Sequence, residues 1–313
     1  LPIYDIFHFL GEPTYGNIEG EQGDWEFVIT KLTEDSIFVK GKKWENEMVF
    51  TRMADGVDWT SYLDSIADVQ KRLGVNYSVG NSSDASKMVE INSATRRILS
   101  RTADGQMVEQ PFYVTSTGIH AVNEPVALGE DKAQDFLVSK AGVMTAKDNE
   151  DLTLNSYAPG IDTWVGEWTL SAMQGSCDMT ISKVEDQENM LKGTFTAGGY
   201  TYNIGLSFNP ETGALNLPSQ LIEDPSGRYP ALWLMNADLN QGTLLGQGGM
   251  NVVWHGVSQE GDFEDDGTLA SEGYASDSFV ALPCTADGEI IKENNQFVFV
   301  VEWYFLSNLT PNK

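Results

Sequence analysis

Apolar side chains recur at every second position in this chain, most plainly at Tyr202, Ile204, Leu206 and Phe208 and again at Phe297, Phe299, Val301, Trp303 and Phe305. Successive side chains of a strand leave opposite sides of a sheet, so a period of two with one apolar face predicts antiparallel strands over a single core. Residues 166–172, 177–184, 191–197, 214–217, 231–236, 251–257 and 278–282 add further candidate strands. Turn signals such as Asn209-Pro210-Glu211-Thr212-Gly213 and Asp224-Pro225-Ser226-Gly227 separate several of them. Eight or nine strands in about 150 residues suit a closed or nearly closed barrel, with a two-sheet sandwich as the alternative.

The first half reads differently. Residues 25–29, 36–40 and 46–50 are rich in aromatic and β-branched side chains and predict a three-stranded meander. Asp58 can then cap a helix over about residues 58–73, in which Trp59, Tyr62, Leu63, Ile66, Val69 and Leu73 share one stripe before Gly74 stops it. Residues 76–86 are polar and Gly/Ser-rich and read as a loop. Short strands follow at 88–91, 106–115, 118–122 and 136–138; residues 96–101 fit a strand or a helix.

Between 147 and 160 the pattern is interrupted by Asp148-Asn149-Glu150-Asp151 and Ala158-Pro159-Gly160, which places a domain boundary there. The expected fold is therefore mainly β: an N-terminal antiparallel sheet domain with one helix (1–156), then a C-terminal antiparallel β-barrel or sandwich (157–313).

Charge narrows the partners. The 313 residues carry a net charge of −27, and both halves are acidic. Such a surface repels phosphate backbones, which excludes nucleic acid, and disfavours direct contact with an anionic membrane. Neutral glycans, cationic peptides and metal ions remain open. No apolar run approaches the roughly 18–20 residues needed to span a bilayer as a helix. The chain begins at Leu1 rather than Met, so processing or truncation is expected, and membrane association would come only through a lipid anchor that these residues do not include. Cys177 and Cys284 could pair in an oxidising compartment or stand as two small buried side chains in strands.

Several words of the first domain resemble a known family. They are the run from Gly23-Asp24-Trp25 to Ile29, then Asp35-Ser36-Ile37-Phe38-Val39-Lys40-Gly41-Lys42-Lys43, Met48 to Arg52, Asp58-Trp59 and Tyr62-Leu63, with Tyr4 to Pro13 and Phe112 to Pro125 alongside. They are similar to a family of Bacteroidetes lipoproteins called domain of unknown function 4302. The resemblance implies an exported protein of the cell envelope, an outer-membrane lipoprotein or a periplasmic one, and supplies no catalytic residues. In the second domain Gly166-Glu167-Trp168, on the first candidate strand, is similar to the Gly-x-Trp of a lipocalin-like barrel, whose Trp packs across the barrel bottom.

Chemistry-bearing motifs are sparse. His8, His120 and His255 stand far apart, and no metalloprotease, nucleophile-elbow, phosphate-loop or paired-cysteine motif is present. His255, beside Trp254, reads as a structural or pocket-lining residue. The loop Glu260–Gly267 places Asp262, Glu264 and Asp266 at calcium-loop spacing, but Gly273 stands where an EF-hand needs its last carboxylate and no helices flank it. Calcium stays a weak candidate cofactor at those three residues, against a solvated hairpin loop. The 46 acidic residues single out no glycosidase pair. Glu302 is expected opposite the face that carries Trp303.

Flat aromatic rings stack on sugar faces and enclose apolar ligands. Trp44, expected in an exposed turn, with Trp233, Trp254 and His255, are therefore the candidate ligand-binding residues. The functional expectation is a noncatalytic envelope lipoprotein that binds an extracellular ligand such as a glycan. Its rivals are a lipocalin-like carrier of a small apolar molecule and an adhesion module that contacts another protein.

Overall fold

The computed structural model describes residue 24 and residues 26–122 and 124–312. Tyr4 to Pro13, His8, Gly23 and Trp25 lie outside the described residues. The chain divides into two compact units, Leu1–Tyr62 and Leu63–Lys313. The structure is mainly β, with one α-helix among the described residues.

The first unit holds the expected meander, Phe27–Leu32, Ser36–Gly41 and Glu47–Thr51, paired in that order. The buried Asp24 carboxylate organises the second hairpin by accepting the backbone N–H groups of Lys43 (2.7 Å) and Trp44 (3.1 Å). A Cβ at Gly41 would lie 1.8 Å from that carboxylate, so glycine is what lets the two meet.

The helix runs Trp59–Arg72. Asp58 caps it, accepting from the Thr60 N–H and the Ser61 hydroxyl, and these bonds hold its carboxyl below the usual range. Its apolar stripe serves two environments. Ile66, Val69 and Leu73 pack on a barrel core, whereas Trp59 and Leu63 are exposed.

That core belongs to a closed eight-stranded barrel, built in chain order from Asn76–Val79, Met88–Asn92, Arg97–Arg101, Met107–Val114, Gly118–Ala121, Asp135–Val138, Met144–Ala146 and Asn149–Ser156. Leu154 pairs with Val79 to shut the ring. Tyr77, Val89, Ile91, Ile98, Phe112, Ile119, Phe136, Met144 and Leu154 fill the interior.

Closure corrects several expectations. The antiparallel sheet expected in the first domain is present, and its strands from Asn76–Val79 to Asn149–Ser156 close into a barrel. The segment read as a loop opens with Asn76–Val79, a barrel strand whose Asn and Ser mimic loop composition. Asp148-Asn149-Glu150-Asp151, read as an interruption, leads into the closing strand, because Leu152 and Leu154 still alternate inward. Residues 97–101 are a strand.

A second closed barrel orders Gly166–Ala172, Gly175–Lys183, Met190–Ala197, Tyr200–Phe208, Leu215–Pro218, Gly249–His255, Glu260–Asp265 and Asn308–Pro311. Antiparallel pairing of the last with the first closes it. The barrel reading thus stands and the sandwich does not. The chain leaves the barrel after Pro218 and again after Asp265 to build a five-stranded sheet from Gln220–Ile222, Ala231–Asp238, Thr243–Leu245, Ser278–Cys284 and Val301–Trp303.

Two further expectations change. The alternating run 297–305 contributes only Val301–Trp303 to that sheet. Gln296–Phe297 belongs to a separate ribbon, and Phe305 has a left-handed φ of 49°, which breaks an extended strand. The acidic loop at 260–267 is for the most part the barrel strand Glu260–Asp265. Cys177 and Cys284 are unbonded, the first half-buried and the second buried. No helix among the described residues is long and apolar enough to cross a membrane.

Candidate functional site

The two barrels meet at one hairpin. Residues 256–259 turn the chain from Gly249–His255 to Glu260–Asp265, and this tip seats on the first barrel's strands Asn76–Val79, Met88–Asn92 and Arg97–Arg101.

The seat is polar and largely buried. The Asn76 side-chain amide donates to the Trp254 carbonyl (2.6 Å) and accepts from the Gly256 N–H (2.8 Å), as a neighbouring strand would. Glu90 stands between Val89 and Ile91, which point into the barrel, so its own side chain points out. It is nonetheless 8 % exposed, because the tip covers it. Its carboxylate accepts from the N–H groups of Val257 (2.6 Å) and Ser258 (3.1 Å) and contacts His255 Nδ1 at 3.1 Å. Arg101 donates to the Val257 carbonyl (2.6 Å). A Cβ on Gly256 would lie 2.6 Å from Met88 Sδ, so this approach depends on glycine.

His255 also faces Asp262, with Nε2 3.3 Å from Oδ2. The carboxylates of Asp262 and Glu90 together push its pKa up to about 10, against the opposing effect of burial. At neutral pH the ring is an imidazolium with no lone pair for a metal or for base catalysis.

A groove flanks this seat. Its wider lobe, about 620 Å³, lies between Val75, Asn76, Ser156, Tyr157 and Ala158 of the first barrel's side and the outer wall of the second barrel. On that wall strand register aligns Ser207 with Asn216, Asn216 with Asn251, and Asn251 with Glu264. Their chain neighbours Phe208, Leu215, Leu217, Met250 and Val252 point into the core, so the aligned four point outward as one polar row. The Asn216 amide donates to Asn251 Oδ1 (3.2 Å), which fixes both side chains. Half-buried Tyr157 stands in the opposite wall.

The candidate residues scatter. Trp254 (5 % exposed) is inside the second barrel, its ring centroid 5.4 Å from that of Trp164 and 6.2 Å from that of Trp168. Trp168 of Gly166-Glu167-Trp168 packs in the same cluster and donates its indole N–H to the Trp164 carbonyl (2.8 Å). Trp233 is half-buried on the outer face of the five-stranded sheet, against Met235, Val280 and Leu282. Trp44 is half-buried in its hairpin loop with the Lys43 ammonium 4.3 Å over its ring, so the exposed turn tryptophan is corrected to a partly covered one.

Asp262 turns to His255, Glu264 ends the polar row, and Asp266 accepts the Thr268 N–H (2.8 Å). Among the described residues no group of three or more His, Cys, Asp or Glu is placed to hold a metal. Glu302 lies on the exposed face opposite Trp303 and bonds to the Tyr304 hydroxyl. The alternation of residues 249–255 could have located Asn251. Nothing local could have paired Glu90 with His255.

Comparison with known proteins bears on the first barrel. Residues 3–140 match the model of a family described as a domain of unknown function, DUF4302. The match takes in the barrel strands from Asn76–Val79 to Asp135–Val138 and stops before Met144–Ala146 and Asn149–Ser156, which complete the ring. No curated protein and no solved structure matches the chain.

Proposed function

We propose that this chain is a noncatalytic cell-envelope protein that binds an extracellular glycan in the groove between its two barrels. The observation that carries the reading is the outward polar row Ser207–Asn216–Asn251–Glu264, which faces Tyr157 across the wider lobe. Uncharged amides and a hydroxyl offer paired donors and acceptors to sugar hydroxyls, one carboxylate adds a strong acceptor, and an aromatic ring gives a flat apolar contact. The strongly acidic surface is compatible with a neutral ligand and hostile to a polyanionic one. The envelope location rests on the resemblance of the first-domain sequence to a family of Bacteroidetes lipoproteins.

A carrier that holds its cargo inside a barrel is less well supported, because aromatic and aliphatic side chains pack both interiors. A specific observation favours a different apolar site. Phe297, Phe299 and Tyr304, with Leu239, Leu244 and Val280, line a depression of about 410 Å³ on the outer sheet.

The test is binding of the full chain to an array of neutral host and plant glycans, followed by titration calorimetry on the hits. Asn251→Ala should weaken a hit at least tenfold and Phe299→Ala should not. An array without signal for a folded protein refutes the reading, and loss of binding in Phe299→Ala alone moves the site to the outer sheet.

A further inference from the structure

We infer that the groove takes a linear glycan several sugars long, laid across both of its lobes, rather than one sugar or one chain end. The inference rests on the glycan reading above and adds the shape of the ligand. Its observation is a second lobe of about 560 Å³, lined by Leu73, Asn92, Ser93, Arg97, Glu109 and His255 among others. The two lobes adjoin, since Val75 and Glu264 line both. Each alone reaches the size at which a cavity holds a drug-sized molecule, so together they exceed the needs of a monosaccharide.

The adjoining lobes differ in chemistry in a way that fits successive sugars. Asn216, Asn251 and Ser207 supply uncharged partners in the first. Charged side chains of both signs, Arg97 and His255 with Glu90, Glu109 and Glu264, line the second and offer strong hydrogen-bond donors and acceptors to sugar hydroxyls. Between them the exposed side chain of Val75 offers an apolar contact for a ring face, and the exposed Glu264 carboxylate offers a hydrogen-bond acceptor to hydroxyls on either side. A chain that crosses this point would engage both lobes for a single loss of translational and rotational freedom, so affinity should climb with length until both are filled.

The test is titration calorimetry of the full chain against cello-, xylo-, manno- and malto-oligosaccharides of one to eight units. In the series that binds, affinity should rise at least tenfold between the shortest binder and the longest oligomer and then level off. Ser93→Trp and Ala94→Trp, which place a bulky ring in the second lobe, should remove most of that gain while the shortest binder stays within about twofold of the unaltered protein. Two independent plugs guard against one that misfolds, and circular dichroism identifies such a case. Affinity independent of length, or equal weakening of short and long oligomers by both plugs, overturns the extended ligand and leaves glycan binding standing. No binding at any length in any series by a folded protein counts against glycan binding itself.

Discussion

Glu90 Oε2 lies 3.1 Å from His255 Nδ1 and joins the two barrels across 165 residues of sequence. The same carboxylate also accepts two backbone N–H groups from the hairpin tip, so a single side chain meets three donors, of which the Val257 N–H is buried. Removing one member of such a set costs more than the set contributes, because the survivors stay desolvated and unpaired.

Glu90→Ala should therefore destabilise the protein by about 3 kcal/mol or more, the range for breaking a buried charged pair. Glu90→Gln, which can still accept from Val257 and Ser258, should cost less. Urea denaturation at neutral pH measures both. Equal and small effects would mean that the tip is not held through this carboxylate.

The His255 contribution should depend on pH with a definite sign. Its folded-state pKa is raised from 6.5 to about 10, so the folded state binds the proton more tightly. The stabilisation is then complete below pH 6.5 and disappears as pH rises through about 10. Glu90 and Asp262 are the carboxylates that face the ring. The stability difference between the unaltered protein and His255→Gln should be largest near pH 6 and shrink steadily towards pH 10. A difference that grows with pH would contradict the assignment.

Gly256→Ala should loosen the joint without touching either core. The new Cβ would press on Met88 Sδ at 2.6 Å and on Asn76 Oδ1 at 3.3 Å. Overpacking of this kind costs about 1–3 kcal/mol, and Met88→Ala in the same chain should recover part of it. Thermal melts of the single and double variants decide whether the contact exists.

Tryptophan substitutions should separate core from surface. Trp254→Ala and Trp168→Ala each empty part of the ring cluster inside the second barrel and should cost about 3–5 kcal/mol. Trp233→Ala, on a half-buried outer face, should cost clearly less. Loss of ligand binding in Trp254→Ala would accordingly report unfolding, and intrinsic fluorescence with denaturant tells the two apart.

Much of this architecture is legible in alternation alone. Tyr202, Ile204, Leu206 and Phe208 announce a strand and occupy one, Tyr200–Phe208, with those four side chains inward. The first barrel is harder to read because some of its outward positions are not solvent-facing. Asn76 and Ser78 look like loop residues, yet they stand on a strand, where the Asn76 amide binds the backbone of the second barrel. Glu90 likewise passes for an ordinary surface carboxylate. Its meaning comes from a hairpin tip far along the chain, and no local pattern carries that information. The same reason hides the polar row: Asn216, Asn251 and Glu264 become neighbours only through strand register. The opposite failure occurs at 297–305, where a perfect period of two is broken by the left-handed turn at Phe305.

The site itself is tested most directly by two-dimensional amide and side-chain NMR of the labelled full chain, titrated with a neutral linear oligosaccharide selected by the array. Shifts should concentrate at Tyr157, Asn216, Asn251 and Glu264, including the side-chain amide signals of the two asparagines. Shifts confined to Phe297, Phe299 and Tyr304, with the polar row unmoved, would contradict binding between the barrels.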